Sequence, residues 1–404
     1  MAGRLQDKKI ILGVSGGIAG YKACEVLRML QREGAEVRVV MTAAAQKFVA
    51  PLTFETLSRY DVIKEMFPEH RTVKTRHVSW AEWADALLIC PATANVIGKV
   101  ASGIADDFLS TLIMAARRPV IFAPAMDYEM VQNAIYLDNV EKLKRFGYRF
   151  IPPQEGHLAS GAQGPGRLAD FRSIMEHVNY YLNGSDSLLE KRVLVTAGPT
   201  REAWDPVRFL TNRSSGKMGY AMAEAARMRG ADVTLITGPT QIEAPWGVRL
   251  ECVGSAAEMN DAVQQAWPQN DILIMAAAVA DYRPVETSAQ KIKKETGGLT
   301  LPLARTQDIL AGLQDHGGLK VGFAVETEAC IERAREKMQR KSLDMICLNN
   351  PLEAGAGFEV ETNRVTVLQR DGKEYALPKM SKRDTASQIW DAIETRLIEN
   401  EAHD

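Results

Sequence analysis

The chain has 404 residues, too many for one ordinary hydrophobic core and suited to about two domains. Its 46% apolar and 25% charged residues are the balance of a soluble globular protein. The net charge of -2 leaves no global field for nucleic acid or an anionic membrane, so any phosphate site must be local.

Met1–Lys9 is polar, and the apolar run Ile10–Val14 breaks at Gly16-Gly17, too short for a signal peptide. No stretch approaches the roughly 18 apolar residues of a membrane span. The five cysteines (Cys24, Cys90, Cys252, Cys330 and Cys347) are scattered without a CxxC pair, so the chain reads as cytoplasmic with reduced thiols. Ile10–Val14 predicts a first strand, Ser15–Gly20 a glycine-rich turn, and Tyr21–Arg32 a helix with Ala23, Val26, Leu27 and Leu30 on one face. Gly34 stops that helix. Val37–Met41, Ala86–Cys90 and Val120–Ala123 predict further strands with helices between them, the pattern of a parallel sheet covered on both faces. The first turn brings backbone N–H groups to a helix start, where a phosphate can sit, although a tight strand-to-helix turn needs glycine with or without a ligand. A dinucleotide fold puts an acid at the end of its second strand. Here that strand ends Met41-Thr42, which suits a mononucleotide phosphate or a ribityl hydroxyl.

The polar stretch Asn183–Ser187 predicts a boundary, giving domains 1–187 and 188–404. The same grammar then restarts, with strands at Val193–Thr196 and Val233–Thr237 around a helix at Tyr220–Arg229. Asp271–Ala276, Val321–Ala324 and Met345–Leu348 extend this second sheet. Arg364–Leu368 with the Asp371-Gly372 turn predicts an antiparallel hairpin, and Lys382–Glu399 a closing helix. The fold class is therefore α/β, with two Rossmann-like parallel-sheet domains. Between the first strand and helix of the second half runs a loop, Thr196–Gly219, longer than a plain linker needs. It clusters donors at Asn212, Ser214, Ser215, Gly216 and Lys217, and it is not a Walker A loop, because Met218 follows Lys217. Further on, Asp281 follows Ala276, Ala277 and Ala278 at the carboxyl end of a strand, where ligands bind in such folds. Lys291, Lys293 and Lys294 form either a solvated charge run or a counter-charge for a triphosphate.

Three ordered motifs in the first half carry a resemblance. Ser15-Gly-Gly-Ile-Ala-Gly-Tyr-Lys22 resembles the phosphate loop of homo-oligomeric flavin-containing cysteine decarboxylases. Pro91-Ala-Thr-Ala-Asn-Val-Ile-Gly-Lys99 with Ala105-Asp-Asp107 resembles their flavin-binding stretch, and Ala123-Pro-Ala-Met-Asp-Tyr-Glu-Met130 their substrate motif. The resemblance covers about residues 8–180 and implies a flavodoxin-like domain. It implies that FMN is held by Ser15, Gly16, Gly17, Ile18, Thr42, Pro91, Ala92, Thr93, Ala94, Asn95 and Asp106, with Asp127, Met130 and Arg167 on the substrate. It also implies that His77 is the active-site histidine, a residue type that titrates near neutrality and suits removal of a thiol proton. Two positions depart from the family pattern. The family usually has asparagine where this chain has Asp127, and a flap cysteine where it has Ser160. An ionised aspartate repels a carboxylate that an amide would hold, and a hydroxyl is a far weaker acid than a thiol of pKa about 8.5. His157 is the nearest alternative acid.

The second-half motifs resemble phosphopantothenate–cysteine ligase over about residues 190–400, and their fusion behind the flavin domain resembles the bacterial bifunctional enzymes of coenzyme A synthesis. This implies 4'-phosphopantothenate, cysteine and CTP as substrates, with Asn212 stabilising an acyl-cytidylate and Lys291 serving its attack by cysteine. Asp281 and the backbone at Ala276, Ala277 and Ala278 would hold the nucleotide, and Phe323 would line its base pocket. Arg208, Ser214, Ser215, Gly216, Lys217, Lys293, Lys294, Asp308, Ile309, Lys337 and Lys341 complete the implied substrate site. Mg²⁺ is expected with the triphosphate, at Asp281. Gln307 stands where the family commonly has proline. The resemblance further implies a homo-oligomer, with trimeric flavin domains and dimeric ligase domains. The rival from another class is an oxidoreductase using NAD in two Rossmann units, and the missing ribose acids after both second strands argue against it. Asp127 and Ser160 raise one alternative within the family, a flavin domain that releases an oxidised enethiol or binds flavin without turnover.

Overall fold

The apolar runs that read as strands lie at the centre of two parallel sheets in a computed structural model, which describes residues 3–67, 76–293, 299–325, 331–349, 357 and 360–401. The chain divides into two compact units, Met1–Gly184 and Ser185–Asp404.

In the first unit, β1 (Lys9–Val14), β2 (Glu36–Met41), β3 (Ala86–Ala92), β4 (Val120–Pro124) and β5 (Arg149–Phe150) are all parallel, in the order β2-β1-β3-β4-β5. Every residue of β3 and β4 is buried, as a sheet covered on both faces requires. Successive residues sort to opposite faces. Ile10, Leu12 and Val14 pack with Leu27 and Leu30 of helix Ala23–Arg32, whereas Ile11 packs with Leu109 and Leu112 of helix Phe108–Ala115. This is the flavodoxin-like order, whose reversal falls between β1 and β3 and opens a crevice at their carboxyl ends. A separate antiparallel hairpin joins β6 (Gln154–His157) to β7 (Gln163–Arg167).

The second unit begins with β8 (Arg192–Ala197), followed by a small hairpin of β9 (Arg201–Ala203) and β10 (Phe209–Thr211). Next come β11 (Asp232–Thr237), β12 (Val248–Cys252), β13 (Ile272–Met275), β14 (Tyr282–Pro284), β15 (Leu303–Arg305), β16 (Leu319–Val325) and β17 (Met345–Asn349). The chain finishes with β18 (Thr362–Asn363), β19 (Val365–Gln369), β20 (Glu374–Ala376), β21 (Met380–Ser381) and the helix Lys382–Glu401. The main sheet runs β12-β11-β8-β13-β16-β17-β19-β20, with its first six strands parallel and the last two joined on by antiparallel pairings. Counted from β8, the parallel part is the Rossmann order 3-2-1-4-5-6, with its reversal between β8 and β13. The closing helix buries Ala386, Ile389, Trp390 and Ile393, and the Trp390 indole N–H donates to the Met222 carbonyl at 2.9 Å. Among the described residues, no helix is long and apolar enough to cross a membrane.

Candidate active sites of the two units

A cavity of about 1090 Å³ gathers the segments that follow the carboxyl ends of β1, β2, β3 and β4, with residues of the β6–β7 hairpin completing its wall. Gly16, Gly17 and Ile18 line it after β1, Thr42 after β2, and Thr93, Ala94 and Asn95 after β3. Glycine is required at position 16, because a Cβ there would lie 2.3 Å from the Ala44 Cβ and 2.9 Å from the Ala44 carbonyl carbon. Ser15, Pro91 and Ala92 frame the cavity without lining it. The buried Ser15 hydroxyl donates to the Pro91 carbonyl at 2.7 Å and accepts the Thr93 N–H at 3.0 Å, tying the loop after β1 to that after β3. Lys22 and Lys99 also line the cavity, two cations that the motif reading had not assigned. The hydrogen bond to Asp106 raises Lys99 above the ordinary lysine range, against the opposing effect of burial. Asp106 itself is mostly exposed and off the wall. Its neighbour Asp107 lines the cavity instead, and also caps helix Phe108–Ala115 by accepting the Ser110 N–H at 2.8 Å. Lys22, Lys99 and Asp107 each stand at the last position of a flavin motif quoted from the sequence.

Asp127, Met130, His157, Ser160 and Arg167 line the opposite side. Asp127 caps helix Tyr128–Gln132, one carboxylate oxygen accepting the Glu129 N–H at 3.2 Å. Its other oxygen accepts the Ser160 hydroxyl at 2.5 Å. The hairpin is fastened further by the Met126 N–H donating to the Gly166 carbonyl at 3.0 Å. His77 sits half-buried on helix Arg76–Trp83 and is not among the lining residues. That helix is anchored by Trp83, over whose ring the Arg38 guanidinium lies at 4.0 Å, and by Trp80 edge-on to Phe108 at 6.3 Å.

In the second unit the crevice lies where β8 and β13 part. Pro199 and Ala278 form an isolated parallel bridge, the Ala278 N–H donates to the Gly198 carbonyl at 2.9 Å, and the Ala277 N–H to Thr196 Oγ1 at 3.2 Å. The Ala276–Ala278 backbone is thereby laid along the turn that follows β8. Asn212, immediately after β10, donates its amide to the Val279 carbonyl at 2.9 Å, which brings it to the same turn. Gly216 caps helix Lys217–Met228 in the left-handed region at φ 80°, and its N–H donates to Ser214 Oγ at 3.3 Å. A Cβ at Gly216 would lie 3.3 Å from the Gly198 nitrogen, so Gly216, with the Ser214 hydroxyl bonded to it, adjoins the turn after β8, and Ser215 is half-buried between them. Lys217 pairs with Glu361.

The other expected residues fall into separate groups. Asp308 and Lys341 form an ion pair at 3.1 Å, Ile309 is buried in the core with Trp267, and Phe323 is half-buried on β16. Lys337 is half-buried on helix Ile331–Arg340. Lys291 and Lys293 are exposed, and Lys294 lies outside the described residues. Arg208 meets Asp205, its Nε at 3.0 Å and Nη2 at 2.6 Å from one carboxylate oxygen. Burial pushes Asp205 up, but the Arg208 guanidinium and the N–H groups of Val207, Arg208 and Ile292 outweigh it and hold the carboxyl well below the usual carboxylate range. Asp281 is exposed. Among the described residues no three His, Cys, Asp or Glu side chains gather to hold a metal. One carboxylate is nevertheless what Mg²⁺ commonly takes when substrate phosphates supply its other ligands.

Comparison with known proteins finds a separate family match in each half of the chain. The flavoprotein family profile matches residues 2–183, and the profile described as DNA/pantothenate metabolism flavoprotein C-terminal domain matches residues 188–397. Over 394 residues the chain is 46% identical to the coenzyme A biosynthesis bifunctional protein CoaBC of Bacillus subtilis (strain 168), covering 96% of this chain and 97% of that one. The chain belongs to the coenzyme A biosynthesis bifunctional family. The relative from Escherichia coli (strain K12) is 41% identical over 401 residues, 98% of each chain. Among solved structures, the C-terminal domain of a coenzyme A biosynthesis bifunctional protein aligns over 53% of this chain and 100% of that one, at 41% identity and a TM-score of 0.46. This member of the bifunctional family is thus a flavoprotein decarboxylase joined to a ligase. Its Asp127 and Ser160, the two departures noted in the sequence, are hydrogen-bonded to each other.

Proposed function

We propose that the C-terminal unit joins cysteine to 4'-phosphopantothenate with CTP and Mg²⁺, and that the N-terminal unit decarboxylates the product with FMN to give 4'-phosphopantetheine. The observation that carries this reading is that each unit gathers motif residues at the carboxyl edge where its strand order reverses. A carboxylate is a poor electrophile at neutral pH. Its attack on the α-phosphate of CTP, with pyrophosphate leaving, therefore precedes attack by the cysteine amine, with CMP leaving. In this reading Asn212 is a fixed donor to the oxyanion, Lys291 serves the amine's attack, and Ser214, Ser215, Gly216 and Lys217 meet phosphate. Asp281 binds Mg²⁺ together with the triphosphate.

The cavity of the first unit fits a mononucleotide, since Gly16 leaves room that a side chain would fill and Lys22 and Lys99 supply positive charge. When bound, FMN supplies a reversible two-electron oxidant, so thiol oxidation, loss of CO2 and final reduction balance without a net oxidant. Asp127, Met130 and Arg167 face the substrate, and the glycine-rich hairpin excludes water. His77 takes the thiol proton. His77 does not line the cavity of its own unit, which supports a homo-oligomer of flavin domains in which it serves a neighbour's cavity. Ile18, Tyr21 and Met130, large apolar residues on the cavity wall that are about half exposed or more, are the surface such assembly would cover. Trimeric flavin domains and dimeric ligase domains are testable by light scattering of the whole chain and of a chain truncated after the first unit. The scattered thiols fit a cytoplasmic enzyme.

The Ser160–Asp127 hydrogen bond favours a second outcome, release of an oxidised enethiol, because the flap then presents a bound hydroxyl where the family presents a thiol. Mass spectrometry of products from 4'-phosphopantothenate, cysteine, CTP and Mg²⁺ separates the outcomes. Accumulation of 4'-phosphopantetheine supports the full sequence. A product lighter by two hydrogens supports enethiol release, and arrest at 4'-phosphopantothenoylcysteine removes the decarboxylase assignment. Ser160→Cys is expected to raise 4'-phosphopantetheine formation by about tenfold or more, less than the roughly 10²-fold or more that a positioned acid supplies in full, and to leave amide formation unchanged. If the gain is missing and His157→Ala stops the reaction, His157 is the acid.

A further inference from the structure

We propose that Asp205 is a positioning residue for Lys291, acting through the backbone of Ile292. The inference rests on the ligase reading above. Asp205 is 1% exposed and lies in residues 204–208, the tip of the β9–β10 hairpin. Oδ1 accepts the N–H groups of Val207 and Arg208, both at 2.8 Å. That is ordinary turn chemistry, in which an aspartate closes its own loop. Oδ2 does something different. It accepts the Arg208 guanidinium and also the N–H of Ile292, 87 residues further along the chain, at 3.2 Å. The same guanidinium donates to the Ile292 carbonyl at 2.8 Å. One ion pair, its carboxylate buried and its guanidinium open to solvent, thus holds both backbone polar groups of the residue next to Lys291.

Two further bonds run between the hairpin and this segment. Thr287 Oγ1 donates to the Ala203 carbonyl at 3.0 Å, and the Ser288 N–H to the Trp204 carbonyl at 2.9 Å. Lys291 is exposed and belongs to no helix or strand, so these anchors fix the backbone from which its side chain extends. Burying a carboxylate costs several kcal/mol unless it is well paired. A turn on the surface could be closed without that cost, and fixing Ile292 is what the buried arrangement adds. The same hairpin leads directly into Asn212, so one element sets both groups that the ligase reading assigns to the chemistry. A displacement of about 1 Å at a reacting group costs on the order of 10²-fold in rate.

The test uses the full-length protein and three measurements: pyrophosphate release from CTP and 4'-phosphopantothenate without cysteine, amide formation with cysteine, and a double-mutant cycle with Lys291→Ala. Asp205→Asn keeps the size of the side chain and an oxygen for the turn while removing the charge. It is expected to lower amide formation by about 30- to 100-fold while pyrophosphate release stays within about threefold of wild type. In the Lys291→Ala background it is expected to add nothing further. Equal loss in both half-reactions, or an undiminished loss in the Lys291→Ala background, would mean that Asp205 only supports the fold and would overturn the proposal. Amide formation within about twofold of wild type would overturn it too. Should Asp205→Asn not fold, Asp205→Glu, which keeps the charge but changes the reach of the carboxylate to the Ile292 N–H, is read in the same cycle with the same outcomes. If the wild-type chain itself releases no pyrophosphate from CTP, the ligase reading falls and the inference falls with it.

Discussion

Asn212→Ala is expected to lower CTP-dependent amide formation by about 10²- to 10³-fold, equivalent to about 2.7–4 kcal/mol, the loss typical when one preorganised oxyanion donor is removed. The effect on stability should be much smaller. Asn212 is exposed, and its amide donates to the Val279 carbonyl at 2.9 Å and more weakly to that of Ala278 at 3.4 Å. Losing such a bond costs about 1 kcal/mol. The hairpin leading to it keeps its own register, with Arg201 opposite Thr211, and Thr211 Oγ1 still donates to the Thr200 carbonyl at 2.7 Å. Rate and fold are therefore separable at this position. Calorimetry with CTP should show binding close to wild type while mass spectrometry shows the amide nearly absent. An amide rate within about threefold of wild type would remove Asn212 from the chemistry.

What the sequence revealed follows burial. Strands whose residues are buried throughout, such as β3 and β4, announce themselves as uninterrupted apolar runs. Edge strand β12 does not, because four of its five residues are exposed. The β6–β7 hairpin is built of glycine and polar residues with no alternation to betray it, and its shape comes from its partners at Met126 and Asp127. The site divides in the same way. Gly16, Thr42, Thr93 and Asn95 sit in short motifs close to strand ends, where topology brings them together whatever the side chains do. The bond between Asp127 and Ser160 spans 33 residues, and the contact of Asp205 with Ile292 spans 87. Neither has a local signature. Arg208, which the resemblance assigns to substrate, also donates from its guanidinium to Asp205 and to the Ile292 carbonyl, contacts that no local motif announces.

Gly16→Val is expected to yield a protein with at least tenfold less flavin per chain and no decarboxylation, while the ligase reaction proceeds at the wild-type rate. The added Cβ would meet both the Ala44 side chain at 2.3 Å and its carbonyl carbon at 2.9 Å. A backbone atom cannot swing aside as a flexible side chain can, so the loops after β1 and β2 must separate. Gly17, Ile18 and Thr42 move with them, and all three line the cavity. Overpacking of this kind costs about 1–3 kcal/mol. If that cost falls on the flavin-bound state, it corresponds to roughly one to two decades of affinity. The core is spared, because the strand residues Ile10, Leu12 and Val14 keep their buried partners. Gly98→Ala provides the control within the flavin motif. Gly98 is helical, and its nearest neighbour to an added Cβ is Asn139 Nδ2 at 3.8 Å, an ordinary contact. Alanine there gains about 0.8–1.0 kcal/mol in helix propensity and should leave flavin content unchanged. Visible flavin absorbance per chain decides the matter. A fully yellow Gly16→Val protein would mean that the loop after β1 does not hold the flavin phosphate, and the cavity would need a different occupant in that corner.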